Sequence, residues 1–402
     1  LLFIEVEPSS MMHFVVGVEH SEEDFFVLDP LKGKVAWLSE LYPGAESFRL
    51  IAEVENPPPP PGPTPTGRVR KPGPHFQTMV EGWDTFLRGV GGSDDDGIIV
   101  KVFHPEDVLG VLRLNPWANV ILRKHLDNQK PYVIPDDGDY YQAANAWVDL
   151  DWDSVRTVCD QIAVEFPGME EPYFHREAAN EEHENVNETK NRHASLHDYN
   201  VAKVYYDRDY PVRAGIYTAA IGNMHPSQYS IFAHLYAEAV ARFGAWMGPH
   251  RYYVYNGVDG YGGPEHLAEY LLLRHVEFDK VIREAIRDAG YENDRVVWYG
   301  GEEGVIFART SPPEPPDEHG QGWISFAPND GWKHPNVYNG NLTRYLDDLF
   351  LAQEMLDLSP IGQRGDEKFG CVFTSGEVFT GWEWFQMGAT EFPVWKQRIL
   401  EG

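Results

Sequence analysis

The sequence is short of basic residues, with 33 Lys and Arg against 63 Asp and Glu, and its formal net charge is −30 at pH 7. Proteins that hold nucleic acid present a basic face that releases counterions from the phosphate backbone. The charge imbalance therefore argues against a nucleic-acid binder. It disfavours binding to an anionic membrane surface for the same reason.

Long apolar runs, cysteines and nucleotide motifs are also scarce or missing. No stretch of about 18 apolar residues occurs, so no membrane-spanning helix is expected, and residues 1–7 lack the basic start and apolar stretch of a secretory signal. Cys159 and Cys371 form at most one disulfide and cannot build a zinc site alone. Neither a phosphate-binding loop nor a Gly-x-Gly-x-x-Gly after a strand is present, so no cofactor is expected.

What the sequence does contain is material for a large core, with 42% hydrophobic and 13% aromatic residues. Residues 56–67 read NPPPPPGPTPTG, and such a proline run favours an extended, semi-rigid spacer. We therefore predict a small β-rich segment over 1–55, a Pro-rich linker over 56–70 and a large domain over 71–402.

In the large domain, apolar runs alternate with helix-length segments, which is typical of parallel βα units. Segments 231–246 and 266–288 are the clearest helices. Eight alternations favour an α/β fold of the (β/α)8 TIM-barrel type. The candidate strands lie around 74–77, 97–103, 119–124, 173–179, 212–219, 251–255, 295–300 and 370–374.

Glutamates follow two of these strands. Asn180 and Glu181 come after the fourth, and Glu302, with Glu303 beside it, comes after the seventh. Functional groups of a (β/α)8 barrel lie at the carboxyl ends of its strands. Two carboxylates in one barrel mouth can divide the work of glycoside hydrolysis. Because side chains alternate in direction along a strand, only one of the adjacent pair faces the mouth, and Glu302 is favoured.

These motifs resemble the superfamily of (β/α)8 glycoside hydrolases that carry an acid/base after strand four and a nucleophile at strand seven. Asn180-Glu181 matches the Asn-Glu pair of that superfamily, and Glu302-Glu303-Gly304 matches its Glu-x-Gly. The resemblance implies that Glu181 is the general acid/base, that Glu302 is the nucleophile and that Asn180 donates to the sugar 2-hydroxyl.

The resemblance extends to three further segments, Ile221-Gly222-Asn223, Tyr253-Val254-Tyr255 and FTSGEVFTGWEWF. Tyr255 on the sixth strand would lie beside the nucleophile, and Trp382 or Trp384 in FTSGEVFTGWEWF would form a sugar platform. The pattern departs from the superfamily where Glu182 replaces a common Pro and Gly301 a common Thr. The tryptophans also suit core packing, and both interpretations stay open.

His75, His104 and Arg123, at the ends of the first three strands, are further candidates for substrate contact. A cation such as Arg123 near two carboxylates would keep the nucleophile ionised. Strand-end polar residues also form structural hydrogen bonds, so this alternative stays open.

The leading hypothesis is a retaining glycoside hydrolase with a carbohydrate substrate. The excess negative charge would repel uronate or sulfated chains, so a neutral or basic glycan is expected. The alternative is a non-catalytic carbohydrate-binding barrel, as in a cell-surface or phage-associated module, and an extracellular or cell-surface location is favoured. A metallohydrolase is a third hypothesis, because His193 and His197 are four apart and His183 is near, but the HExxH pattern is absent and no metal is expected.

The segment HFVVGVEHSEEDFFVLDPLKGKVAWLSELY resembles the C-terminal half of a papain-like cysteine peptidase of the bacteriocin-processing type, in which His13 and Asp29-Pro30 match the His and Asp-Pro positions. A thiol peptidase needs its thiol, and this segment has no cysteine. The resemblance therefore implies an inactive remnant, and the other interpretation is a small β module with a structural His13.

Overall fold

The structure is a computed structural model, and part of the chain is described in it. The backbone is described over 2–6, 13–20, 25–29, 34–37, 48–53, 72–76, 81–88, 90, 97–123, 138–178, 183–184, 186–219, 224–255, 273–307, 333, 340–368, 370–373 and 387–401. The chain divides into two compact units, one of Leu1–Arg68 with Gly260–Glu265 and one of Val69–Asp259 with His266–Gly402.

The smaller unit contains a five-stranded antiparallel sheet. Val, Ile and Phe recur in its strands, as suits a pleated and half-buried surface. In order of pairing the sheet runs β4-β3-β2-β1-β5. Its strands are β1 (Leu2–Val6), β2 (His13–His20), β3 (Phe25–Asp29), β4 (Lys34–Trp37) and β5 (Phe48–Glu53).

The two peptidase-like positions both fall on this sheet. His13 is the first residue of β2 and Asp29 is the last of β3. The peptidase resemblance rests on the sequence alone and stays a prediction.

The larger unit is built on a parallel sheet. It runs in the order β11-β10-β9-β8-β7-β6-β14-β13-β12, and every strand pair in it is parallel. The strands are β6 (Gly73–Phe76), β7 (Ile99–Val102), β8 (Asn119–Leu122), β9 (Phe174–Glu177), β10 (Val212–Ile216), β11 (Trp246–Met247), β12 (His250–Tyr255), β13 (Glu302–Phe307) and β14 (Cys371–Phe373).

Helices connect the strands and bury apolar faces against them, which gives the unit its α/β class. On the helix Tyr229–Phe243, for example, Phe232, Tyr236 and Val240 are buried. The helices are α1 (Trp83–Leu87), α2 (Pro105–Leu114), α3 (Tyr140–Asp149), α4 (Trp152–Glu165), α5 (Glu188–Asp207), α6 (Tyr229–Phe243), α7 (Arg274–Ala289), α8 (Leu342–Leu358), α9 (Pro360–Gln363) and α10 (Phe392–Glu401). Within the described residues, no helix is both long and apolar enough to cross a membrane.

The parallel sheet is curled. The Lys101 side chain on β7 reaches the Gly301 carbonyl beside β13, although β6 and β14 lie between these strands in the sheet. Tyr299 likewise reaches Glu177 on β9. Side chains from distant strands therefore converge on one concave face.

The two edge strands of the sheet, β11 and β12, are adjacent in the chain. β11 pairs with β10, and β12 pairs with β13. The amide of Met247, the last residue of β11, donates to the Val297 carbonyl at 2.9 Å, and the amide of Gly248, which follows it, donates to the Ile216 carbonyl at 2.8 Å.

The seventh predicted strand is displaced in the structure. Residues 295–300 were expected to be extended and Glu302 to follow them, but the long strand is β13, which begins at Glu302. Upstream, Trp298 makes only isolated parallel bridges, to Met247 and to Glu367. Just before β13, a Cβ at Gly301 would collide with the Gly248 carbonyl, so glycine there allows the two backbones to approach.

The close approach of the Tyr299 ring also explains why residue 248 is a glycine, and this contact can be tested. A Cβ at Gly248 would overlap the ring of Tyr299, which is fully buried. Gly248→Ala is expected to lower the free energy of unfolding by about 1–3 kcal/mol, the usual cost of overpacking a core. Chemical denaturation measures this, with Gly168→Ala as the matched control, because nothing lies within 4 Å of a Cβ at Gly168. Equal losses of unfolding free energy in the two variants would show that the Tyr299 ring does not pack against Gly248.

Candidate active site

Glu302 is a buried carboxylate on the concave face of the parallel sheet. It is the first residue of β13, and 6% of its surface is exposed to solvent. Its Oε1 accepts from the guanidinium of Arg123, and its Oε2 lies 3.5 Å from Nδ1 of His250. The structure thus gathers an acid, a guanidinium and an imidazole from three different strands or strand ends.

The strand register places these three groups. His250 is the first residue of β12 and pairs directly with Glu302 in the parallel ladder. Arg123 follows β8, and its amide donates to the Val102 carbonyl at 2.8 Å, which continues the ladder with β7. The guanidinium carbon lies 5.1 Å from the centroid of the Phe103 ring, a cation–π contact that helps to hold it in place.

The surroundings of Glu302 favour its ionised form. Burial raises the pKa of this carboxyl, but the neighbouring His250 imidazole and the charges of Arg123 and Lys101 outweigh burial and hold the pKa well below its usual range. Glu302 is therefore a carboxylate throughout the neutral pH range, which is the state that a nucleophile requires.

His75, which the sequence suggested for substrate contact, is fully buried on β6. Its ring makes an edge contact with the Phe103 ring at a centroid distance of 5.2 Å. Burial first, and then the charge of Lys101, lower the pKa of His75 well below its ordinary value. A neutral, buried imidazole is better suited to packing behind Glu302 than to contacting a substrate.

Sequence reasoning missed Lys101 and Glu177. Both side chains are almost fully buried, and Nζ of Lys101 lies 2.7 Å from Oε1 of Glu177. The Tyr299 hydroxyl donates to the same oxygen at 3.5 Å, and burial, followed by the charge of Glu177, raises the pKa of that tyrosine well above its usual value. The available signal was a lysine in the middle of the apolar run GIIVKVF, because a buried charge needs a partner.

Several site residues proposed from the sequence lie outside the described residues. These are Asn180, Glu181, Trp382 and Trp384. Tyr255 is the last residue of β12, where the backbone alone is described. The expected separation of the two glutamates therefore stays a prediction.

The histidines that suggested a metal site have other contacts. Nε2 of His197, on α5, faces the Ala178 carbonyl at 3.2 Å, and Nδ1 of His193 contacts the Tyr140 hydroxyl. His183 contacts the Tyr236 hydroxyl at 2.7 Å. In the part of the chain that the structure describes, no three His, Cys, Asp or Glu side chains cluster as metal ligands would.

No family model and no curated protein matches the sequence. Among solved structures the chain is similar to CJP38, a β-1,3-glucanase and allergen of Cryptomeria japonica pollen, with 13% identity, a TM-score of 0.38 and coverage of 81% of this chain and 96% of that one. A Bacteroides ovatus GH5 xyloglucanase in complex with a heptasaccharide matches with 10% identity, a TM-score of 0.37 and coverage of 81% and 68%. A bacterial orthologue of human α-L-iduronidase matches with 9% identity and a TM-score of 0.41, over 79% of this chain and half of that one.

Proposed function

We propose that the chain is a retaining glycoside hydrolase with Glu302 as its nucleophile. The observation that carries the proposal is the buried carboxylate of Glu302, held ionised by the Arg123 guanidinium on the concave face of a parallel sheet. Burial of a charge is costly unless it is paired, and such an arrangement is frequent where a group must react.

The proposed fold is a closed (β/α)8 barrel. The bonds from Met247 to Val297 and from Gly248 to Ile216, together with the bridge from Met247 to Trp298, support closure through the segment that contains β11 and β12. Although Glu302 begins β13, the parallel bridge at Trp298 precedes it in the chain, and its partner Arg123 directly follows the carboxyl end of β8. Glu302 would then lie near the carboxyl-terminal mouth of the barrel, where active sites of this fold are found.

The reaction divides between two carboxyl groups. A Glu302 oxygen attacks the anomeric carbon while Glu181 gives its proton to the leaving glycosidic oxygen, so that a covalent glycosyl-enzyme forms. Glu181 then takes a proton from water, which attacks the same carbon and releases Glu302. This double displacement retains the anomeric configuration, and it needs the two carboxyl groups about 5–5.5 Å apart.

The substrate proposed is a neutral or basic glycan. The chain carries a net charge of −30, which disfavours the approach of an anionic polymer. Asn180 would donate to the sugar 2-hydroxyl, Tyr255 would lie beside Glu302, and Trp382 or Trp384 would stack on a sugar ring.

A panel of glycans tests the function. The set contains neutral, amino-sugar and uronate oligosaccharides, and new reducing ends are measured, followed by the anomeric configuration of the first product by proton NMR. Hydrolysis of a neutral or amino-sugar glycan with retention is expected. Binding of glycans without hydrolysis would instead support the non-catalytic carbohydrate-binding barrel.

A further inference from the structure

Lys101 connects two distant parts of the concave face. Its ammonium donates to the Gly301 carbonyl at 2.7 Å and lies 2.7 Å from Oε1 of Glu177. The lysine is fully buried, and Gly301 is the residue directly before Glu302. The ammonium therefore donates to the peptide group that joins Gly301 to Glu302.

The backbone at Gly301 needs such support. It follows Gly300, and two consecutive glycines leave the chain more conformational freedom than any other pair. The Gly301 amide donates to the Pro249 carbonyl at 3.0 Å, and its carbonyl accepts from Lys101. These two bonds hold the residue on both sides.

We propose that Lys101 is a positioning residue, which fixes the Gly301 peptide group and thereby the place of Glu302. The inference rests on the proposed function of Glu302 as nucleophile. Reacting atoms must be held close to their productive geometry, and small displacements lower the rate of the chemical step more than they weaken binding.

Lys101 also balances the charge of Glu177, and the two roles can be separated. Oε2 of Glu177 has no hydrogen-bond partner among the described residues, so the carboxylate depends on Lys101 and on the longer bond from Tyr299. Loss of the ammonium alone would leave a buried, uncompensated carboxylate. Neutralising Glu177 at the same time removes that penalty but does not restore the bond to Gly301.

The test compares Lys101→Met, Glu177→Gln and the double variant. Lys101→Met is expected to lower both the melting temperature and kcat. In the double variant the melting temperature recovers towards that of the parent, but kcat stays about tenfold or more below it, with KM changed less than kcat. Glu177→Gln keeps the Lys101 bond to Gly301, so its kcat is expected to stay within about threefold of the parent. A double variant with the kcat of the parent would overturn the inference, because Lys101 would then serve only to balance Glu177.

A second readout keeps this test separate from that of the proposed function. If the parent hydrolyses no glycan, the proposed function fails, and the carboxyl ¹³C resonance of Glu302, assigned by its loss in Glu302→Gln, is titrated instead. The pKa of Glu302 is expected to be higher in the double variant than in Glu177→Gln, since the two differ only in Lys101. Equal pKa values would show that Lys101 does not act on Glu302.

Discussion

Replacing Glu302 by Gln is expected to lower kcat by about 10⁴-fold, the scale of loss when an enzyme's nucleophile is removed. The amide keeps nearly the shape of the carboxylate but cannot form the covalent intermediate. Binding of the glycan should change little, because the substitution removes only one oxygen's charge and leaves the other proposed sugar contacts unchanged. Turnover of the best glycan in the panel and its dissociation constant, from calorimetry, measure the two effects.

Glu303→Gln is the matched control, since Glu303 is the next residue of β13 and side chains alternate in direction along a strand. Its kcat is expected to stay within about threefold of that of the parent, because the alternation predicts opposite directions for neighbouring side chains. Equal losses in both variants, or a larger loss in Glu303→Gln, would contradict the role of Glu302.

Replacing Arg123 by Met is expected to lower the free energy of unfolding by about 3–5 kcal/mol at neutral pH, the usual cost of removing one partner of a buried ion pair. Glu302 is then left in a buried site without its guanidinium, and its pKa rises. In the parent the folded pKa of Glu302 is lower than the unfolded one, so its ionisation stabilises the fold above the unfolded pKa. That contribution is lost as the pH falls, so the difference between parent and variant should shrink in acid.

Arg113→Met removes the same charge elsewhere and is the control. Arg113 forms a two-bonded ion pair with Glu165, but both side chains are exposed, and exposed pairs contribute little. Denaturation across a range of pH should show a pH-dependent loss for the Arg123 variant and little change for the Arg113 variant. A small, pH-independent effect of Arg123→Met would mean that the guanidinium does not pair with Glu302.

Much of the parallel sheet could be predicted from local patterns. The strands at Gly73–Phe76, Ile99–Val102 and Phe174–Glu177 lie inside or within one residue of the predicted runs, because β-branched and aromatic residues bounded by polar ones are a local signal. The seventh strand could not be located in this way. The run VVWY is as strand-like as its neighbours, but Trp298 within it makes only isolated bridges, and the close approach of Gly301 to Gly248 beside it is a tertiary contact that no local pattern encodes.

Part of the candidate site could also be predicted from local patterns. Glu302 and Arg123 stand out at strand ends, and the structure brings them into contact. The pairing of Lys101 with Glu177 depends on how the sheet curls, and no sequence spacing encodes a contact between residues 76 positions apart. The run GIIVKVF differs from a wholly apolar strand by one residue, Lys101. That lysine was the available sign that this strand carries a buried charge.

The central claim, that Glu302 is the nucleophile of a retaining glycosidase, is tested most directly by covalent trapping. An activity-based glycosidase inactivator matched to the hydrolysed glycan is incubated with the protein, which is then digested and mapped by mass spectrometry. One sugar per chain, attached to Glu302 and absent from the Glu302→Gln variant, is the expected result. A label on another residue, or none from an inactivator whose parent glycan is hydrolysed, would contradict it.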